Sequence, residues 1–124
     1  MKKLQSLRWV NDRVENCQCP KIFLSNARKV KPVIDRMIQN SRLKVVGYTS
    51  HQFDQGFTSV WLLSQSHLSL HSWPEYNFLT LSLEVCNFKK DDASKIDRLY
   101  SQILKFFKPK RTRPKKHTIR LEVS

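Results

Sequence analysis

Between Ser64 and Glu75 the chain reads Ser-Gln-Ser-His-Leu-Ser-Leu-His-Ser-Trp-Pro-Glu, which sets hydroxyls, two imidazoles and a carboxylate into one short run. Two chemistries use those residue types: metal ligation and a serine hydrolase. As a strand, the run would place Gln65, His67, Ser69 and His71 on one face and Ser64, Ser66, Leu68 and Leu70 on the other. His67 and His71 are then roughly 13 Å apart at about 3.3 Å per residue, too far to share one ion. A Ser-His-Asp hydrolase is poorly supported as well, because no Gly-x-Ser-x-Gly elbow is present and no helix follows the serine. His51 and His117 stand alone in sequence and read as ordinary packed or solvent-facing histidines.

The elements that must hold this run follow from apolar spacing. Leu4 to Val14 suggests a short helix, ending near Cys17-Gln18-Cys19-Pro20. Ala27, Val30, Val33, Ile34, Met37 and Ile38 form the stripe of an amphipathic helix within residues 25–42, its regular part expected to begin near Pro32. Strands are expected over 43–53, 59–63 and 68–73, with Asp54-Gln55-Gly56 as a turn. Phe78 to Cys86 is the cleanest alternation, with Leu79, Leu81, Leu83 and Val85 on one face. A helix carrying Ile96, Leu99, Tyr100, Ile103, Leu104 and Phe107 follows, capped by Asp91 or Asp92 and stopped by Pro109. A last strand runs from His117 to Val123. The fold class expected is α+β: a two-layer αβ sandwich, with a mainly antiparallel sheet of four or five strands and two main helices on one face.

At 124 residues the chain reads as a single domain over 1–124, with residues 1–23 as an N-terminal extension and 108–116 as a basic loop. No apolar run approaches the roughly 20 residues that span a bilayer, and no signal-like segment follows Met1, so a soluble cytoplasmic protein is expected. Cys17, Cys19 and Cys86 are an odd set that argues against a disulfide framework, and Cys17-Gln18-Cys19 lacks the second pair that zinc needs, so no metal is expected. The net charge of +13 is the outstanding bulk property, and Lys105, Lys108, Lys110, Arg111, Arg113, Lys115 and Lys116 cluster around two prolines. Such a block can bind nucleic acid through counterion release, yet it matches no recognition motif and equally suits a solvated loop.

Gln65-Ser66-His67-Leu68-Ser69-Leu70-His71-Ser72-Trp73-Pro74-Glu75 closely resembles the processing segment of the small prokaryotic S-adenosylmethionine decarboxylases. The resemblance extends upstream through Phe53, Gln55, Gly56 and Thr58, and downstream to Cys86. Gln65 stands where that family has Glu, Thr58 where it has Ser, and Asn87 where it has Gly.

That family is self-processing and pyruvoyl-dependent, and the resemblance implies cleavage at Gln65–Ser66. Ser66 would attack the Gln65 carbonyl, and elimination would leave a pyruvoyl cofactor derived from Ser66. The cofactor's carbonyl forms a Schiff base with the amine of the substrate, S-adenosylmethionine, and decarboxylation feeds spermidine biosynthesis. By position, Thr58 and His71 would assist processing, and Cys86 would protonate the decarboxylated substrate. Phe53 would stack on the adenine and Glu75 would contact the ribose. A homodimer of processed protomers is implied, with the active site at the subunit interface. Two alternatives stay open: arginine or ornithine as substrate on the same fold, and a non-catalytic basic homologue that binds nucleic acid.

Overall fold

The computed structural model describes the backbone of residues 3–64, 66–87 and 92–123 and the side chains of residues 7–64, 66–84 and 94–119. The elements are β1 (Lys3–Cys17), α1 (Ile22–Ser25), α2 (Ala27–Asn40), β2 (Val45–Gln52), β3 (Phe57–Leu63) and β4 (Ser66–Trp73). A 3₁₀ turn (Pro74–Tyr76), β5 (Phe78–Asn87), α3 (Asp92–Phe107), β6 (Pro109–Thr112) and β7 (Lys115–Val123) complete the chain. The seven strands form one antiparallel sheet in the order β2-β3-β4-β5-β1-β6, with β7 also on β1.

One face of the sheet carries the core. Phe57, Trp61 and Leu63 of β3, Leu68 and Leu70 of β4, Leu79, Leu81 and Leu83 of β5 and Val14 of β1 are buried there. Against them pack Ala27, Val30, Ile34, Met37 and Ile38 of α2 and Ile96, Leu99, Ile103 and Phe107 of α3, which are the expected helical stripes. The helices cover that face, and the molecule is the expected α+β sandwich.

Several expectations are corrected, beginning with the sheet, which has seven strands among the described residues rather than four or five because residues 3–17 and 109–112 join it as strands. Residues 4–14 are not a helix: they belong to β1, a 15-residue strand inside the sheet, paired with β5 on one side and β6 and β7 on the other. The residues at 1–23 are therefore not an appended extension. Leu4, Leu7, Val10 and Val14 mimic helical spacing, but two flanking partners hold the backbone extended, with Val10, Asp12 and Val14 buried on one face. The helix α2 begins at Ala27, ahead of Pro32. The Asn26 side chain accepts from the Arg28 and Lys29 amides at 2.9 and 3.3 Å, and burial of Ala27 and Val30 favours the extra turn.

The segment 108–116 is not a loop. Pro109 lies opposite Cys17, Lys115 opposite Asn11 and Val123 opposite Lys3, so β6 and β7 keep one register along β1 as a single edge strand interrupted at Arg113–Pro114. Pro114 has no N–H for the ladder. Beside it the buried Asp12 carboxylate accepts from the Arg113 amide at 2.7 Å, and that amide also donates to the Arg13 carbonyl at 3.0 Å. Lysines along an exposed edge discourage pairing with other chains, which gives this basic segment a structural use.

Candidate active site

The helix-free face of the sheet is largely polar. Strand register sets His51, Thr58, His71, Thr80 and Arg13 side by side in one row across β2, β3, β4, β5 and β1. Two residues further along β4, Ser69 lies between Val60 and Ser82, and beyond it His67 faces Glu84, whose carboxylate is 3.8 Å from the imidazole.

At one end of this face an open cleft of about 610 Å³ forms where the β2–β3 turn meets the end of β4 and the 3₁₀ turn. Its walls include His51, Phe53, Asp54, His71, Trp73 and Glu75. That volume lies within the range of small-molecule sites. Four rings run through it: His51 meets Phe53 edge-on at 4.7 Å, Phe53 lies nearly parallel to His71 at 5.9 Å, and His71 stacks on Trp73 at 4.0 Å and 20°.

The cleft is braced from behind. The Gln52 side chain accepts from the Ala27 amide at 3.0 Å and donates to the carbonyls of Ser25, Phe53 and Gly56 at 2.6, 3.1 and 3.0 Å. The Phe53 amide closes the turn on the Gly56 carbonyl at 2.7 Å. The buried Ser72 hydroxyl accepts from the Phe57 amide at 3.0 Å and donates to the Leu24 carbonyl at 2.7 Å, tying α1, β3 and β4 together. Gly56 packs so closely on the Ser72 backbone and Pro74 that a Cβ there would clash with both. Gln52, Ser72 and Trp73 carried no assigned role in the sequence. Ser72 and Trp73 lie inside the motif, and Gln52 has no signal beyond its place before a turn.

Of the residues singled out in the sequence, Phe53, His71 and Glu75 line this one cleft, and Thr58 is the direct cross-strand neighbour of His71. Ser66 stands apart. It opens β4, half-buried, opposite Leu63 and Val85, five residues from His71 and on the register of Leu68 and Leu70. The separation is roughly 16 Å at about 3.3 Å per residue. The backbone of Cys86 lies in β5 opposite Leu7, one residue beyond the partner of Ser66. Gln65 and the Cys86 side chain lie outside the described residues.

The remaining reactive groups are remote from the cleft. Burial pushes the Cys17 thiol up to about 12, with Cys19 nearby adding to the effect, and burial also raises the Cys19 thiol. Neither sulfur is prepared as a thiolate. Burial and the hydrogen bond to Asp12 raise the Tyr100 phenol. Among the described residues no group of three or more His, Cys, Asp or Glu side chains is arranged to hold a metal ion. Among them, too, no helix is long and apolar enough to cross a membrane.

Residues 13–118 match the family model described as S-adenosylmethionine decarboxylase. A curated relative named S-adenosylmethionine decarboxylase proenzyme, from Picrophilus torridus, is 34% identical over 88 residues, which is 70% of this chain and 65% of the relative. A second of the same name, from Archaeoglobus fulgidus, is 32% identical over 88 residues, 70% of this chain and 75% of the relative. The match to the first thus spans slightly less than two thirds of that protein's length. The crystal structure of the adenosylmethionine decarboxylase from Aquifex aeolicus VF5 superposes with a TM-score of 0.77 at 24% identity, covering 93% of this chain and 90% of that one. At that identity the likeness speaks for the fold.

Proposed function

This chain belongs to the S-adenosylmethionine decarboxylase family, and from that premise we propose that it cuts itself between Gln65 and Ser66 and then converts S-adenosylmethionine to S-adenosylmethioninamine, the propylamine donor for spermidine. The convergence of Phe53, His71 and Glu75 in one cleft carries this reading.

Processing begins when the Ser66 hydroxyl oxygen adds to the Gln65 carbonyl carbon and the peptide C–N bond breaks, leaving an ester. Loss of the Ser66 α-proton expels the Gln65 carboxylate, and water then replaces the nitrogen of residue 66, releasing ammonia. Holding the hydroxyl against its own backbone makes the first step a matter of proximity, worth roughly 7–11 kcal/mol where the alignment is right. Thr58 supports the cyclic intermediate and His71 moves the proton of the elimination. The group so formed would be a pyruvoyl on residue 66, which would supply a carbonyl for the substrate amine and a sink for the electron pair left on decarboxylation. Ser66 suits this role because β4 is paired with both β3 and β5 from its first residue, so residue 66 stays anchored after the cut.

For the substrate, Phe53 offers an aromatic face to the adenine, Glu75 accepts from the ribose hydroxyls, and Cys86 returns a proton to the α-carbon. The ring-lined cleft with Asp54 and Glu75 on its walls suits an adenine-bearing sulfonium cation better than the aliphatic arginine or ornithine.

Within one chain Ser66 and His71 are too far apart to act on one bond. A homodimer removes the conflict: Ser66 and Cys86 of one copy meet Thr58, His71, Phe53 and Glu75 of a second. Each dimer then holds two equivalent composite sites.

Intact mass of the purified protein tests the cleavage. Two pieces, residues 1–65 and 66–124, are expected, the second lighter by one ammonia than its sequence requires. A single uncut 14.7 kDa chain under native conditions would sink the proposal. Carbon dioxide release from carboxyl-labelled S-adenosylmethionine, arginine and ornithine, assayed in parallel, then identifies the substrate.

A further inference from the structure

We propose that Trp73 is a positioning residue that fixes the plane of the His71 imidazole and favours its protonated form. This rests on the reading of His71 as the proton-transfer residue of processing. Trp73 closes β4 two residues after His71, so both project on the same side of the strand, and their rings stack at 4.0 Å and 20°. The indole is itself supported, since Trp73 is paired with Phe78 across β4 and β5 and their rings meet at 5.2 Å.

On the other side of the imidazole the Phe53 ring is nearly parallel, at 18°, but 5.9 Å away. His71 is thus backed by Trp73 in contact and faces a gap toward Phe53. Its ring plane is set by that contact. The negative face of an indole attracts an imidazolium placed over it and has no such attraction for the neutral ring. Contact with the indole therefore favours the imidazolium over the neutral ring at this position.

The other groups around His71 are few. Thr58 and Thr80, its neighbours on β3 and β5, are neutral, and Arg13 on β1 lies beyond Thr80. From β2 comes His51, from the β2–β3 turn Asp54, and from the 3₁₀ turn Glu75. None of these stacks on the imidazole as the indole does. Replacing Trp73 alone isolates the stacking contribution.

The test titrates His71 by NMR in a Ser66→Ala chain, which cannot be cut, with the resonance assigned through His71→Gln. Trp73→Leu is expected to lower the His71 midpoint by roughly half a pH unit, and Trp73→Phe to recover most of that shift. In the chain that retains Ser66, the limb of the self-cleavage pH profile that reports His71 moves to lower pH by the same amount. An unchanged midpoint in a folded Trp73→Leu chain overturns the proposal, and so does failure of Trp73→Phe to rescue. Should the parent chain stay uncut at every pH, the processing reading falls, while the NMR titration still decides whether the indole holds the proton.

Discussion

The two ends of β4 are built in opposite ways. At the His71 end, hydrogen bonds from Gln52 and Ser72 lock a turn and three elements around a ring-lined cleft. At the Ser66 end the strand simply begins, half-buried, with aliphatic partners on either side. The cleft end is a braced pocket lined by rings, whereas the serine end holds the bond proposed to be cut. On that proposal one strand carries both a binding surface and the source of the cofactor, and a second copy would bring them together.

The largest effect expected comes from Ser66→Ala, which should leave the chain entirely uncut by mass spectrometry while the circular dichroism spectrum is unchanged. Ser66→Thr should keep the nucleophile and slow the cut. Next in size is a mixing experiment. His71→Ala alone should cut poorly, yet co-expressed with Ser66→Ala it should recover about a quarter of the wild-type yield, because random pairing rebuilds one of two sites in half of the dimers. No recovery in verified mixed dimers would place both residues in one chain and dissolve the contrast between the two ends.

Smaller effects probe the bracing of the cleft. Ser72→Ala leaves the Phe57 amide and the Leu24 carbonyl without their partner, at a cost of roughly 1–3 kcal/mol, so the thermal midpoint should fall. Substrate affinity and cleavage rate should both fall, since Ser72 adjoins His71 and braces the cleft that holds Phe53 and Glu75. Smallest of all, replacing Lys108, Lys110 and Lys116 with Gln on the exposed edge should change neither cleavage nor carbon dioxide release by more than about twofold, screened as such surface charges are. A large loss would give the basic edge a part in catalysis.

Much of this architecture can be read from residue patterns. The alternation of β5 and the apolar stripes of α2 and α3 appear in the structure as expected, although α2 starts ahead of Pro32. The strand β1 could not be read, because Leu4, Leu7, Val10 and Val14 fit a helical spacing and only the two flanking strands, far off in sequence, decide otherwise. Likewise Pro109 and Pro114 read as loop punctuation, although the strand tolerates both at an edge. At the site, Phe53, His71 and Glu75 were identifiable from the motif and the turn before it. The remoteness of Ser66 from His71 was implicit in the strand period. The stacking of Trp73 on His71 and the bracing by Gln52 and Ser72 depend on side-chain directions that spacing alone does not give.

The place of β1 in the sheet has a consequence for a chain cut as proposed. The piece ending at residue 65 contributes β1, β2 and β3, and the piece beginning at residue 66 contributes β4 to β7. In the sheet these alternate, so that β4 and β5 are gripped between β3 and β1, and β1 in turn is clasped between β5 and the β6–β7 edge. The two pieces are interlaced, and severing the chain frees neither of them. Once unfolded, however, they have lost the covalent link that threaded β1 into its slot. Maturation is therefore expected to be a one-way passage, after which the protein can persist but not readily reassemble itself.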